Sequence, residues 1–450
     1  MNHIKPNTPT NTIQCDVDKD ILIEAASGKM TLNHNNFCKY LWEKYWYEST
    51  KGNVFGYDLD IWKPIEPAEL RHIIKKELDL LPLSRVSKRD IDEVFELIKA
   101  DSFSRKLWEN LIHTNPQDIN LKDCIYDAYT WETRPYRKME YKFYKLPYHS
   151  SLINSSINPE LFLSFLDEIF EWYENKTEII QFIREYIAHL FLPITKFELG
   201  LFLYGNAMNG KGTLIRVIEH LLWEDNVSNL WIHHMSREEK VSSLLAKLAN
   251  LDSEMVTWSS LDSADLKKII SGEKIEWRFL YKDPFFFRPH ARIIIASNSM
   301  GKVKDFADNW AFRRFLFIHL KQSFWYKKDV DLKQKLLKEL DLIFAWAIKG
   351  LPELLQRNEF NIPIELKDQT KEAFKEQDSF LIFFEEYLEK NHDSKIYNKV
   401  RYPLYKKFCR DTGEVTLSQI ILSKRLIGLG FKSFWGNNRW FSGLSIKKQH

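Results

Sequence analysis

One segment constrains this chain more than any other: KFELGLFLYGNAMNGKGTLIRVIEHLLW, residues 196–223. A strand-like apolar run ends at Gly205, a loop of Asn206, Ala207, Met208 and Asn209 follows, and Gly210 and Lys211 open an amphipathic helix. G-x-x-x-x-G-K between a strand and a helix is the spacing of a phosphate loop. The glycines let the backbone curl so that N–H groups converge on phosphate oxygens. The helix start adds positive potential, and Lys211 reaches the terminal phosphates. A turn that binds nothing needs no lysine. The segment Gly205–Thr213 therefore reads as an ATP site. The roughly 125 residues that follow alternate strand and helix, which predicts a three-layer α/β domain with a largely parallel sheet.

One position departs from the usual loop. After the lysine, where a Ser or Thr normally coordinates magnesium, stands Gly212, and the hydroxyl comes one residue later at Thr213. Three options are open: Thr213 contacts Mg2+, it contacts a phosphate, or water replaces the missing ligand. Downstream, LAKLANLDSEM gives an apolar strand ending in Asp252 and Glu254. Acids so placed either hold a magnesium-bound water and polarise the attacking water, or are solvated residues at a strand end. ARIIIASN delivers Asn298 at another strand end, where an amide orients water or caps a turn. DNWAFRRFLFIHL sets Arg313 and Arg314 before a further apolar strand. Such a pair either salt-bridges locally or reaches a neighbouring subunit's nucleotide. WRFLYKDPFFF alternates aromatic and charged residues around Lys-Asp-Pro and reads as a hairpin with Lys282 near its tip. Lys282 beside Tyr281 suits gripping phosphate and loose base stacking, while Phe285–Phe287 are expected to fill a core.

Taken in order, YGNAMNGKGT, NLDSE, IIIASN and the Arg314 position resemble the Walker A, Walker B, motif C and arginine finger of superfamily 3 helicases. The likeness is greatest to the helicase part of the phage, plasmid and poxvirus-type primase-helicases. KKIISGEKIEWRFLYKDPFFFRP is similar to that family's hairpin, which projects into a ring channel and touches the DNA backbone. The resemblance implies a P-loop, AAA+-like ATPase core using ATP and Mg2+. It also implies a ring, usually hexameric, with nucleotide between subunits and one DNA strand in the channel. Residues 191–330 would form this ATPase domain and 331–375 a helical lid or connector.

The flanks carry weaker signals. Residues 1–30 read as a tail. Residues 31–190 read as a mainly helical domain, with segments such as KRDIDEVFELIKA behind a Ser87 cap, and more loosely resemble the domain preceding the ATPase in these primase-helicases. DLD at 58–60 lacks a supporting histidine motif, so a primase or polymerase is expected to be separate or fused elsewhere. Residues 376–450 read as a winged helix: two helices, LSQIILSKRLIGLGF, then strands around WGNNRWFSGLSI. Lys424 and Arg425 lie on its recognition helix, and Lys432 and Arg439 flank the wing. The net charge of +3 hides an asymmetry, because residues 395–450 hold twelve Lys and Arg against Asp411 and Glu414. That surplus points to nucleic acid over a merely solvated face. No run of eighteen apolar residues and no signal-peptide core occurs, so the chain reads as cytoplasmic, without a membrane partner. Four cysteines without a C-x-x-C pair support neither a zinc ribbon nor a disulfide framework.

The expected function is an ATP-driven helicase acting on single-stranded and forked DNA during replication of a phage, virus or mobile element. The alternative is an origin-binding initiator in which ATP only switches a DNA-bound state. A small-molecule kinase would use the same loop, but the basic end and the paired arginines argue against it.

Overall fold

The computed structural model describes residues 21–24, 30–50, 52–83, 85–112, 116–235, 238–253, 263–277, 285–299, 313–325, 329–414, 416–436 and 438–447. At its centre is a five-stranded sheet of β1 (Gly200–Tyr204), β2 (Val227–Ser228), β3 (Ala249–Asp252), β4 (Arg292–Ser297) and β5 (Phe315–His319). The strand order is β2-β3-β4-β1-β5, and every pair is parallel. The apolar runs follow from burial on both faces. Leu201, Leu203, Ile294, Ala296, Leu316 and Ile318 point into one core, and Phe202, Ile293, Ile295, Phe315 and Phe317 into the other. The protein is thus mixed α/β around a parallel sheet.

The first core does not respect the boundary expected at 190. It is continuous from Ile119 through the helices Glu160–Ile169 and Lys176–Leu190 to Leu366. The packing unit around the sheet therefore begins near 119, because Phe182, Ile183 and Tyr186 bury against the same face as Leu201 and Ile218. The segment 331–375, expected as a lid or connector, contributes Ile343, Phe344, Leu351 and Leu366 to this core. Leu340–Ile348 reads LDLIFAWAI, apolar nearly all round, and a helix of that kind is stable only when packed on most sides. The helix α2 (Ile364–Gln377) covers the edge strand β5: the N–H of Phe317 donates to Thr370 Oγ1 at 3.1 Å and that of His319 to Gln369 Oε1 at 3.0 Å. Two side chains thereby occupy ladder positions that would otherwise invite another strand.

Residues 31–190 are less helical than expected. Helices His34–Tyr45, Pro67–Leu78 and Lys88–Asp101 pack around an antiparallel sheet of Tyr47–Thr50, Asn53–Asp58 and Ile61–Ile65. A second antiparallel sheet joins Asp118–Asn120, Ile125–Asp127 and Thr133–Arg134. Ser87 does cap its helix, accepting from the Asp90 N–H while the Asp90 carboxylate accepts from the Ser87 N–H, a capping box.

The C-terminal unit runs α3 (Ser379–Tyr387), β6 (Leu388–Tyr397), α4 (Asn398–Thr412), α5 (Gln419–Gly428), β7 (Ser433–Phe434) and β8 (Trp440–Ile446). Its sheet has the order β6-β8-β7, all antiparallel, over a core that includes Phe383, Tyr405, Leu422, Leu426 and Phe441. Among the described residues, no helix is long and apolar enough to cross a membrane.

Candidate nucleotide site and nucleic-acid interface

The loop of residues 205–210 leaves the carboxyl end of β1 and enters α1 (Lys211–Leu222), with Gly210 as N-cap. Gly205, Met208 and Gly210 have φ of 137°, 61° and 90°. Left-handed residues interspersed in a turn are the geometry that directs successive N–H groups toward one concavity. Two glycines are also required by space. A Cβ on Gly205 would lie 2.3 Å from the Leu320 carbonyl oxygen, and one on Gly210 would lie 2.6 Å from Ile169 Cγ2. Gly212 differs: it is exposed, and nothing lies within 4 Å of where its Cβ would be.

Buried Asn209 pins the loop. Its Nδ2 donates to the Leu320 carbonyl at 2.9 Å, and its Oδ1 accepts from the Lys211 N–H and Nζ, each at 3.3 Å. Lys211 Nζ also donates to the carbonyls of Gly205 and Asn206, at 3.0 Å each. Among the described residues no carboxylate contacts this ammonium, and burial lowers its pKa. A partly desolvated cation held by neutral carbonyls favours an arriving anion. The loop after β5 supports the same turn through the Phe324 N–H, which donates to the Met208 carbonyl at 2.8 Å. Exposed Asn206, Ala207 and Met208 form the outer lip.

Asp252 ends β3 and is buried, with Oδ2 accepting the Ile232 N–H at 2.8 Å. Asn250, two residues earlier, makes paired 2.9 Å bonds with the Leu230 backbone, its Oδ1 accepting and its Nδ2 donating. Asp252 therefore also has a structural task, hanging the 230–232 segment beside β3. One bond does not exhaust a carboxylate's acceptor capacity. Exposed Asn298 follows β4, which lies between β3 and β1. The sheet thus brings Lys211, Asn298 and Asp252 to one edge, with about 4.8 Å between successive strands. Thr213, half-buried, sits in the first turn of α1. A helical step of about 100° turns it away from the direction of position 212. Among the described residues no cluster of three His, Cys, Asp or Glu side chains could hold a metal. Glu254, Tyr281 and Lys282 lie outside the described residues. The strands flanking the hairpin do pair, Ile275 with Phe287 and Trp277 with Phe285. Phe287 is buried as expected, but Phe286 is exposed, with Lys274 Nζ 4.7 Å from its ring centre.

Arg314 immediately precedes β5. Phe315 is in register with Gly200 and His319 with Tyr204, so Arg314 lies at the amino edge of the sheet and Lys211 beyond the carboxyl edge. At about 3.3 Å per residue the strands alone separate these edges by roughly 13 Å. Arg314 Nη1 is ion-paired with Glu198 of the same chain, and its side chain is 19% exposed. Arg313 is exposed.

In the C-terminal unit the four expected contact residues divide. Lys424 and Lys432 are exposed. Arg425 is not a free surface cation: its Nη1 binds Asp378 Oδ1, and that buried carboxylate also caps α3 through the N–H groups of Phe380 and Leu381. This pairing gives Arg425 a structural task. Arg439 is half-buried, donating to Ser433 Oγ at 3.2 Å, with its guanidinium 5.3 Å from the Trp435 ring centre. Sequence reading had singled out neither Glu198 nor Asn250. Both act through tertiary pairings to residues 116 and 20 positions away, which no local pattern signals.

The class these observations define is a mixed α/β protein with a glycine-rich strand-to-helix loop at the carboxyl edge of a parallel sheet. Residues 203–314 match the model of a family of unknown function, DUF5906. No curated protein matches the chain. Among solved structures, an apo structure of the NrS-1 C-terminal region is similar at 12% identity, with a TM-score of 0.47, covering 90% of this chain and 98% of that one. A second, the A form of the same region, is 11% identical with a TM-score of 0.46, covering 87% and 94%.

Proposed function

We propose that this chain is an ATP-dependent DNA helicase of superfamily 3 type, assembled as a ring and acting in replication of a phage, virus or mobile element. The observation that carries this reading is the placement of Lys211 and Arg314 at opposite edges of one parallel sheet. A guanidinium so placed cannot serve its own loop, whereas a head-to-tail ring joins two different surfaces of neighbouring subunits and so can bring the amino edge of one to the carboxyl edge of the next. The strand order supports an AAA+-like core, with β4 inserted between the strand of the phosphate loop and the strand of Asp252.

In this reading the loop Gly205–Thr213 binds the phosphates and Lys211 neutralises them. Asp252 and Glu254 serve the water, Asn298 orients it, and Arg314 acts in trans, with Arg313 beside it. Mg2+ would be held by Asp252 through water, with Thr213 as the nearest hydroxyl, and would supply charge neutralisation at the phosphates. The order α3–β6–α4–α5–β7–β8 supports a winged helix, with Lys424 on the exposed side of α5. The test is displacement of one strand from a forked DNA by wild type, Lys211→Ala and Lys282→Ala. Unwinding by wild type alone supports the motor. ATP hydrolysis without DNA stimulation and without displacement in any variant would reduce it to an ATP switch.

A further inference from the structure

We infer that the outer face of the C-terminal sheet is a stacking platform for unpaired nucleotides, separate from any groove contact made by α5. The inference deepens the proposed function and rests on it for the choice of DNA as the nucleic acid.

Cross-strand partners lie on the same face of a sheet and alternate along each strand. Ile396 pairs with Phe441 and Phe441 with Ser433, and both apolar members of this row are buried in the core. The next row must therefore face outward. It consists of Tyr397, Trp440 and Phe434, three aromatic residues side by side across all three strands. Phe434 and Trp440 stack, with ring centres 4.5 Å apart and an interplanar angle of 19°, and Phe434 is 41% exposed. Beyond them, Trp435 is 79% exposed, an unusual place for the largest apolar side chain unless something covers it.

Cations are threaded among these rings. Lys395 Nζ lies 5.7 Å from the Trp440 ring centre and 5.9 Å from that of Tyr397, and Lys399 Nζ lies 5.7 Å from Tyr397. Exposed Lys432 borders Phe434, whereas half-buried Arg439, bonded to Ser433 Oγ and 5.8 Å from the Phe441 ring centre, belongs to the inner row. Among the described residues none of Lys395, Lys399, Lys432 or Arg439 is ion-paired with a carboxylate. Aromatic faces with uncompensated cations between them suit a polyanion whose flat bases are exposed. In duplex DNA the bases are already stacked on each other and offer no faces. The occupant is therefore single-stranded DNA, its bases on Phe434 and Trp440 and its phosphates on Lys395, Lys399 and Lys432.

The experiment measures full-length protein binding to a fluorescent dT oligonucleotide, an oligo-U of equal length and a blunt duplex, all in a Lys282→Ala background to remove the hairpin lysine. Trp440→Thr with Phe434→Ala is expected to weaken dT binding by about 10- to 100-fold, from stacking worth about 1–3 kcal/mol per base. Duplex binding, DNA-free ATP hydrolysis and the melting temperature are expected to stay within twofold or 2 °C. Lys395→Ala is expected to lower the salt slope of dT binding by about 0.7. Unchanged dT affinity in the double variant overturns the platform, as does an equal loss for the duplex. Tighter binding of oligo-U than of dT overturns the assignment to DNA. Loss of dT affinity in a protein that proves unable to unwind forks would leave the platform standing and sink only the motor.

Discussion

Arg314 is ion-paired with Glu198, the left-handed residue two positions before β1, so the candidate arginine finger is held at the amino edge of its own sheet. The pair is partly exposed, and an ion pair of that kind contributes little to stability. Its consequence is positional: it holds the guanidinium at the edge of the sheet opposite the 205–210 loop.

If that guanidinium serves a neighbour, Lys211→Ala and Arg314→Ala fail in different halves of a shared site. Each variant alone is expected to lose at least about 10³-fold in ATP hydrolysis, the range known for arginine fingers. Mixed in equal amounts they are expected to recover roughly a quarter of wild-type turnover, because random assembly restores an intact seam at that frequency. Glu198→Ala, which removes only the tether, should change turnover by less than about tenfold. Steady-state phosphate release on the mixture is the measurement; no recovery above the separate variants places Arg314 outside the site.

Gly212 offers an unusual test because the structure leaves room for the missing hydroxyl. A Cβ at 212 meets nothing within 4 Å, and its φ is not positive. Gly212→Ser is therefore expected to fold at least as well as wild type, with a gain of a few tenths of a kcal/mol from reduced backbone entropy. It should lower the Mg2+ concentration needed for half-maximal ATP hydrolysis several-fold. Thr213→Ala should leave that concentration nearly unchanged, because a helical step of about 100° separates it from position 212. A magnesium titration of the two variants decides the point, and a large shift for Thr213→Ala reverses the assignment.

Why the loop was legible and its surroundings were not is a matter of range. Gly205, Gly210 and Lys211 are constrained by local backbone geometry, so their spacing carries the signal. The apolar runs of β1, β4 and β5 were equally readable because both faces are buried. The pairing of Arg425 was not legible because its partner, Asp378, lies 47 residues earlier, and a basic residue on a helix gives no local sign of being paired. The strands between Tyr47 and Ile65 were missed for a related reason: their faces pack against helices on both sides of them in sequence, which blurs the alternation. Leu340–Ile348 is legible as a helix from its period, and being apolar nearly all round favours a packing segment over a free lid.

Asp378 is then a sharper target than any surface lysine. Buried and bonded to Arg425 and to two helix N–H groups, it ties α3 to α5. Asp378→Ala should cost about 3 kcal/mol, since it removes the cap and leaves a mostly buried guanidinium without its carboxylate. Arg425→Ala should cost a similar amount. If the two act through one contact, the double variant should lose far less than the sum, and a double-mutant cycle on urea unfolding reads this directly. Strict additivity would return Arg425 to the surface role first expected of it.

Acid should destabilise the protein through the amino edge of the sheet. There, Arg292 donates to the carbonyls of His290, His189 and Leu192, and the two imidazoles beside it are buried. Burial, with the nearby guanidinium, pushes His290 down to about 3 and holds His189 well below the ordinary histidine range. The unfolded chain therefore binds more protons than the folded one between about pH 6.5 and pH 3, so stability falls as pH is lowered through that window. His290 alone should account for about 2 kcal/mol lost by pH 5. His290→Asn should flatten the dependence of melting temperature on pH between 7 and 5 relative to wild type, whatever it does to stability at pH 7. Parallel slopes for the two proteins would mean that His290 takes up its proton equally in the folded and unfolded chains, and the neutral buried pair would have to be abandoned.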